Sequence, residues 1–134
     1  MLEVLLALIL AQNPSCKAET REFLFWSDPS QAIVETMAVP LGKVWLVRAA
    51  GLFTNDGAGA NYAMEIVRPV RSQGDVCCWR IPIEGMRWAQ MTPLVALSRP
   101  VVLHEGEKMA GRSTRAHAFG IDLVYYELPK ECVP

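Results

Sequence analysis

Residues Ala116 to Leu128 read AHAFGIDLVYYEL, and the alternation within them decides the fold. His117, Phe119, Ile121, Leu123 and Tyr125 fall on one side of an extended chain; Ala118, Gly120, Asp122, Val124 and Tyr126 fall on the other. A period of two sustained this long marks a strand with one face on a core. Similar runs recur upstream: Arg21 to Trp26 (REFLFW), Ala32 to Val39 (AIVETMAV), Val44 to Phe53 (VWLVRAAGLF), Asn61 to Val70 and Val76 to Ile83. Two short runs, Pro93 to Ser98 and Val101 to His104, are broken at Arg99-Pro100. Between them stand turn-forming clusters such as Ser27-Asp28-Pro29-Ser30, Pro40-Leu41-Gly42 and Asn55-Asp56-Gly57-Ala58-Gly59. Gly85 to Met91, bracketed by Pro82 and Pro93, reads as irregular. No amphipathic helical pattern separates the strands, which excludes a parallel βαβ architecture. The expected fold is all-β: an antiparallel sandwich, a jelly roll by its eight strands, forming one domain over residues 16–134.

Composition agrees with a globular domain. The 134 residues are 51% hydrophobic, and 13 Lys+Arg nearly cancel 14 Asp+Glu for a net charge of -1. That balance argues against electrostatic capture of nucleic acid or anionic lipid. The four cysteines, Cys16, Cys77, Cys78 and Cys132, have neither zinc-site spacing nor the density of a disulfide-stapled module, so reduced thiols are expected. Cys16 and Cys132 meet only if the two ends of the chain converge.

Residues 1–15 form a separate N-terminal arm. Met1 to Ala11 (MLEVLLALILA) favours helix, with Leu2, Leu5, Leu6, Ile9 and Leu10 on one stripe and Val4 and Leu8 opposite. The run is too short to span a membrane, and Glu3 stands where a secretory signal would carry its basic residues. Burying its five Leu, a Val and an Ile is worth on the order of 10–20 kcal/mol, against about 1–2 kcal/mol of backbone entropy for each residue ordered. These nearly cancel. The segment is therefore expected to order where other copies or a partner surface wrap it, which makes those five residues the candidate oligomer or capsid contact. The alternatives are a single helix across the domain's own sheet and a signal-like segment over residues 1–13.

Candidate chemistry is sparse. The G-x-S-x-G, P-loop and G-x-G-x-x-G signatures are absent. His104 with Glu105 and Glu107 offers a nitrogen and two carboxylates, but lacks the His-x-His pair of cupin-type metal sites, so no metal or cofactor is expected. His117 and Asp122 lie five apart on one strand, on opposite faces, which rules out a local base-orienter pair. Arg99, Lys108, Arg112 and Arg115 read as solvated charges. Of the four tryptophans, Trp45 belongs to the core and Trp88 is the candidate for exposure. A row of Trp88 with Tyr62 or Tyr125 would favour glycan binding.

A resemblance adds to this reading. Ala38 to Val47 (AVPLGKVWLV) followed by Leu52 to Gly57 (LFTNDG) looks like small virion proteins of tailed phages, where a V-P-x-G-K-x-W turn opens a strand ending in an Asn/Asp/Gly loop. Leu103 to Gly111 (LHEGEKMAG) is similar to the glycine turn before a late strand in the same proteins. The resemblance implies a capsid decoration, or cement, protein: a non-enzymatic jelly roll in the virion that self-associates, usually as a homotrimer, and binds the major capsid protein. Unpaired cysteines would suit such assembly in the host cytoplasm. The alternative is a tail-associated or secreted module that binds a carbohydrate or receptor.

Overall fold

The computed structural model describes residues 16–54, 60–72, 75–88 and 94–133. Eight strands follow in order: β1 (Glu19–Trp26), β2 (Ile33–Glu35), β3 (Lys43–Phe53), β4 (Tyr62–Ser72), β5 (Asp75–Trp88), β6 (Val95–Leu103), β7 (Lys108–Ser113) and β8 (Gly120–Pro129). A 3-10 turn, Lys130–Cys132, closes the chain. The strands make two antiparallel four-stranded sheets, sheet A in the order β1-β8-β3-β6 and sheet B in the order β2-β7-β4-β5. First pairs with last, second with seventh, third with sixth and fourth with fifth, the nesting of a jelly roll.

The alternation of residues 117–125 carries through. Phe119, Ile121, Leu123 and Tyr125 point between the sheets with Trp45, Val47, Leu52 and Leu103, and meet Val34, Met64 and Met109 from sheet B. The Trp45 indole stacks on Tyr125 at 4.2 Å between ring centres and donates its N–H to Glu127 Oε2 at 2.9 Å, so its one polar atom is satisfied at the rim of the core. At Gly111 a Cβ would stand 2.8 Å from Leu52 Cδ2 and 3.2 Å from Val34 Cγ1, so glycine there lets the two layers approach. A second apolar cluster sits on the outer face of sheet A, where Val44, Leu46 and Leu128 are buried with Ala18, Val102, Tyr126 and Val133.

Several expectations change. Lys108 to Ser113, with no β-branched or aromatic residue, is a strand because β2 and β4 pair on either side of it; tertiary context overrides its weak propensity. The two runs around Arg99-Pro100 are one strand, β6, crossed by a register shift opposite Val47 and Ala49. β5 continues to Trp88 through the stretch read as irregular, with its own register shift between Ala63 and Glu65. The run 32–39 yields only three strand residues, since the chain past Glu35 leaves the ladder.

The cysteine expectation is also corrected: Cys16 and Cys132 form a disulfide, with Cα atoms 5.7 Å apart. The jelly-roll order explains it. β1 lies beside β8 along its whole length, Glu19 opposite Glu127 through Trp26 opposite Gly120, so the residues before β1 and after β8 are neighbours. The arm, with Leu2, Leu5, Leu6, Ile9 and Leu10, lies outside the described residues. Among the described residues, no helix is long and apolar enough to cross a membrane.

Candidate functional site

The two glycine turns that carry the resemblance fold against each other. In Pro40-Leu41-Gly42-Lys43 and His104-Glu105-Gly106-Glu107 the third residue has φ of 78° and 81°, and the fourth N–H donates to the first carbonyl at 3.1 and 3.0 Å. These are type II turns, and the positive φ is why each has glycine there. Gly106 N–H donates to Val39 O at 2.9 Å, and Gly42 N–H donates to Glu105 Oε2 at 2.8 Å. The Gly42 bond, then Lys130, holds the Glu105 carboxyl below the usual range. Glu107 is buried, accepting from the His104 N–H at 2.7 Å and from Arg68 Nε at 2.9 Å. The carboxylates beside His104 thus hold the turn pair together. Among the described residues, no group of three or more His, Cys, Asp or Glu is placed to hold a metal ion.

His117 is buried between the sheets. Its Nδ1 lies 3.0 Å from the Arg115 carbonyl, which can only accept, so Nδ1 donates there, and Nε2 shares a hydrogen bond with the Tyr62 hydroxyl at 2.9 Å. The His117 carbonyl accepts from Ser27 Oγ at 3.0 Å, and the same Oγ accepts the Phe119 N–H at 3.1 Å. Both ring nitrogens are engaged in tying β4 to the loop before β8. Asp122 faces the other way, as the alternation requires.

The outer face of sheet A is more open. Thr20, Arg48, Ala49, Val124 and Tyr126 line a depression of about 320 Å³ with residues of β6. The Arg48 guanidinium donates to the Tyr126 hydroxyl at 2.5 Å and lies 5.0 Å from the ring centre. Beside it, Asp122 and Glu22 are hydrogen-bonded to each other, and the other Asp122 oxygen, Oδ1, is buried without a partner. Burial, then the charge and hydrogen bond of Glu22, pushes the Asp122 carboxyl up to about 6. Farther along, Trp26 and Phe53 meet edge to face at 4.4 Å over Gly120, where a Cβ would collide with the Phe53 ring.

Beyond this face, β1 runs along the edge of the sheet with seven of its eight residues exposed. Leu24 is 58%, Phe25 48% and Trp26 41% exposed. Met37 and Leu41 are also exposed, near the turn pair. Tyr62 and Tyr125 are buried, so they do not form the exposed aromatic row that a glycan platform with Trp88 requires.

On the outer face of sheet B, Glu65 accepts from Arg80 at 2.9 Å and Arg112 at 3.1 Å, and Glu35 pairs with Arg80 at 2.7 Å and Lys108 at 3.5 Å. Lys108 and Arg112, read as solvated charges, belong to this four-strand ladder. The sequence signal for it was the placement of acidic residues on facing strands, which becomes visible only with the register known. No protein-family model matches the chain, and no curated protein matches it either, so what the chain does is argued from its own geometry.

Proposed function

We propose that this chain is a non-enzymatic structural protein of a tailed-phage virion, a capsid decoration or cement protein that self-associates and binds the major capsid protein. The observation that carries the reading is the edge of sheet A at Leu24, Phe25 and Trp26, where exposed apolar side chains adjoin a strand edge with no ladder partner among the described residues, a combination suited to contact with protein. The engaged His117 ring and the hydrogen-bonded Glu65, Glu105 and Glu107 carboxylates fit a scaffold better than a reaction centre. The homotrimer and the arm contacts through Leu2, Leu5, Leu6, Ile9 and Leu10 are part of the same proposal.

The Cys16–Cys132 bridge removes one support, since unpaired thiols no longer argue for cytoplasmic assembly. It favours a second reading, an exported carbohydrate- or receptor-binding module, because disulfides persist in oxidising surroundings. A virion released from its host meets the same surroundings. Two measurements test the proposal. Purified particles of the encoding virus should contain the chain in a copy number set by the shell's symmetry. The native mass of the full chain should exceed that of a monomer and fall when residues 1–13 are removed. Absence from the particle, or a monomer throughout, overturns the reading.

A further inference from the structure

Among the described residues the jelly roll has four open strand edges, and three are blunted against further pairing. β2 is only three residues long. β6 carries Arg99 and Pro100, and its ladder with β3 is interrupted by a register shift. β5 carries Pro82 and is likewise interrupted. Short strands, prolines, bulges and charged side chains are the devices by which sheet edges avoid templating another strand. β1 has only the last of these, and only in its first half. It is eight residues long, without Pro or Gly, in unbroken register with β8, which is its one ladder partner among the described residues. Its charges, Glu19, Arg21 and Glu22, lie in the first half, leaving Phe23 to Trp26 uncharged.

We infer that β1 pairs with β1 of a second copy, antiparallel, about a two-fold axis perpendicular to sheet A, so that the sheet continues across the contact as eight strands. This inference rests on the self-association in the proposed function and names the surface that carries it. A strand is the complement because it alone satisfies a free row of backbone N–H and C=O groups while covering apolar side chains on both faces: Leu24 and Trp26 on the outer, Phe25 on the inner. A second copy supplies it through β1, since its other three edges are blunted. The two-fold keeps each residue on its own face, so the strands register about a single residue. Centring on Glu22 would oppose two carboxylates beside Asp122. Centring on Leu24 sets Leu24 against Leu24, Phe23 against Phe25 and Glu22 against Trp26 of the other copy, so no two like charges are opposed. The exposed apolar area is on the order of 300 Å² per copy, well under the roughly 800 Å² of a standard interface, so the contact weakens on dilution.

The test uses the full chain. Sedimentation over a range of concentrations is compared for the wild type, for Leu24→Lys with Phe25→Lys, and for the control Met37→Lys with Leu41→Lys. A two-fold contact joins copies in pairs, so the wild type should hold an even copy number, six where the homotrimer also forms, that the β1 variant halves and the control leaves unchanged, with the same far-ultraviolet circular dichroism in all three. An odd wild-type copy number, or one the β1 variant keeps, overturns the pairing and leaves the proposed function standing. A wild-type monomer at every concentration overturns both.

Discussion

Asp122 is the residue whose surroundings most oppose its ordinary state. It sits on the outer face of sheet A against Glu22, with one oxygen buried and unpartnered, and burial together with Glu22 raises its pKa from the ordinary 3.8 to about 6. The sign follows from proton binding. Between about pH 4 and 6 the folded chain holds more protons at this site than the unfolded chain, so stability falls as pH rises through that window. Because the site is partly solvated, the loss is about 1 kcal/mol or less. Asp122→Asn should raise the urea midpoint at pH 7 and leave it unchanged at pH 4; an equal effect at both pH values would assign the gain to something other than charge. His117, on the inner face of the same segment, has partners at both ring nitrogens. Its role was legible as core from the alternation of residues 117–125, whereas the proximity of Glu22 to Asp122 was not, because the two are far apart in sequence and meet only through the pairing of β1 with β8.

At the scale of elements, the outer face of sheet B is held by charge where sheet A is held by apolar contact. Glu65 is nearly buried and takes two guanidinium groups, while Arg112 is about half exposed. Removing the shared acceptor should therefore cost more than removing one donor. Glu65→Gln is expected to destabilise by about 1–2 kcal/mol, and Arg112→Gln by under about 1 kcal/mol, in chemical denaturation. Equal effects would show that the ladder acts as separate pairs. β7 lies in the middle of this ladder and is the strand least visible in sequence: Lys108 to Ser113 has small and charged residues, and becomes extended because β2 and β4 hydrogen-bond to both its edges. Propensity describes a residue alone, and a central strand is made by its neighbours.

For the whole molecule, the decisive feature is that both ends of the chain leave from the same side of sheet A and are tied there. The bridge spans 116 residues, a loop long enough for cross-linking to remove substantial entropy from the unfolded chain. Reduction, or Cys16→Ser with Cys132→Ser, should lower stability by about 2–5 kcal/mol, read as a fall in thermal midpoint; no change would mean the ends are held by the Val44, Leu46 and Leu128 cluster alone. The amino-acid sequence by itself determined the all-β class, the inward row from Phe119 to Tyr125 and the two glycine turns, because period-two alternation and positive φ are local properties; it reached eight strands only because splitting β6 in two offset the missing β7. Strand β7, the continuity of β5 and β6, the disulfide, the acidic pair and the unprotected edge were decided only by the tertiary structure. Each depends on which strand lies beside which, and that follows from burying two sheets against one core.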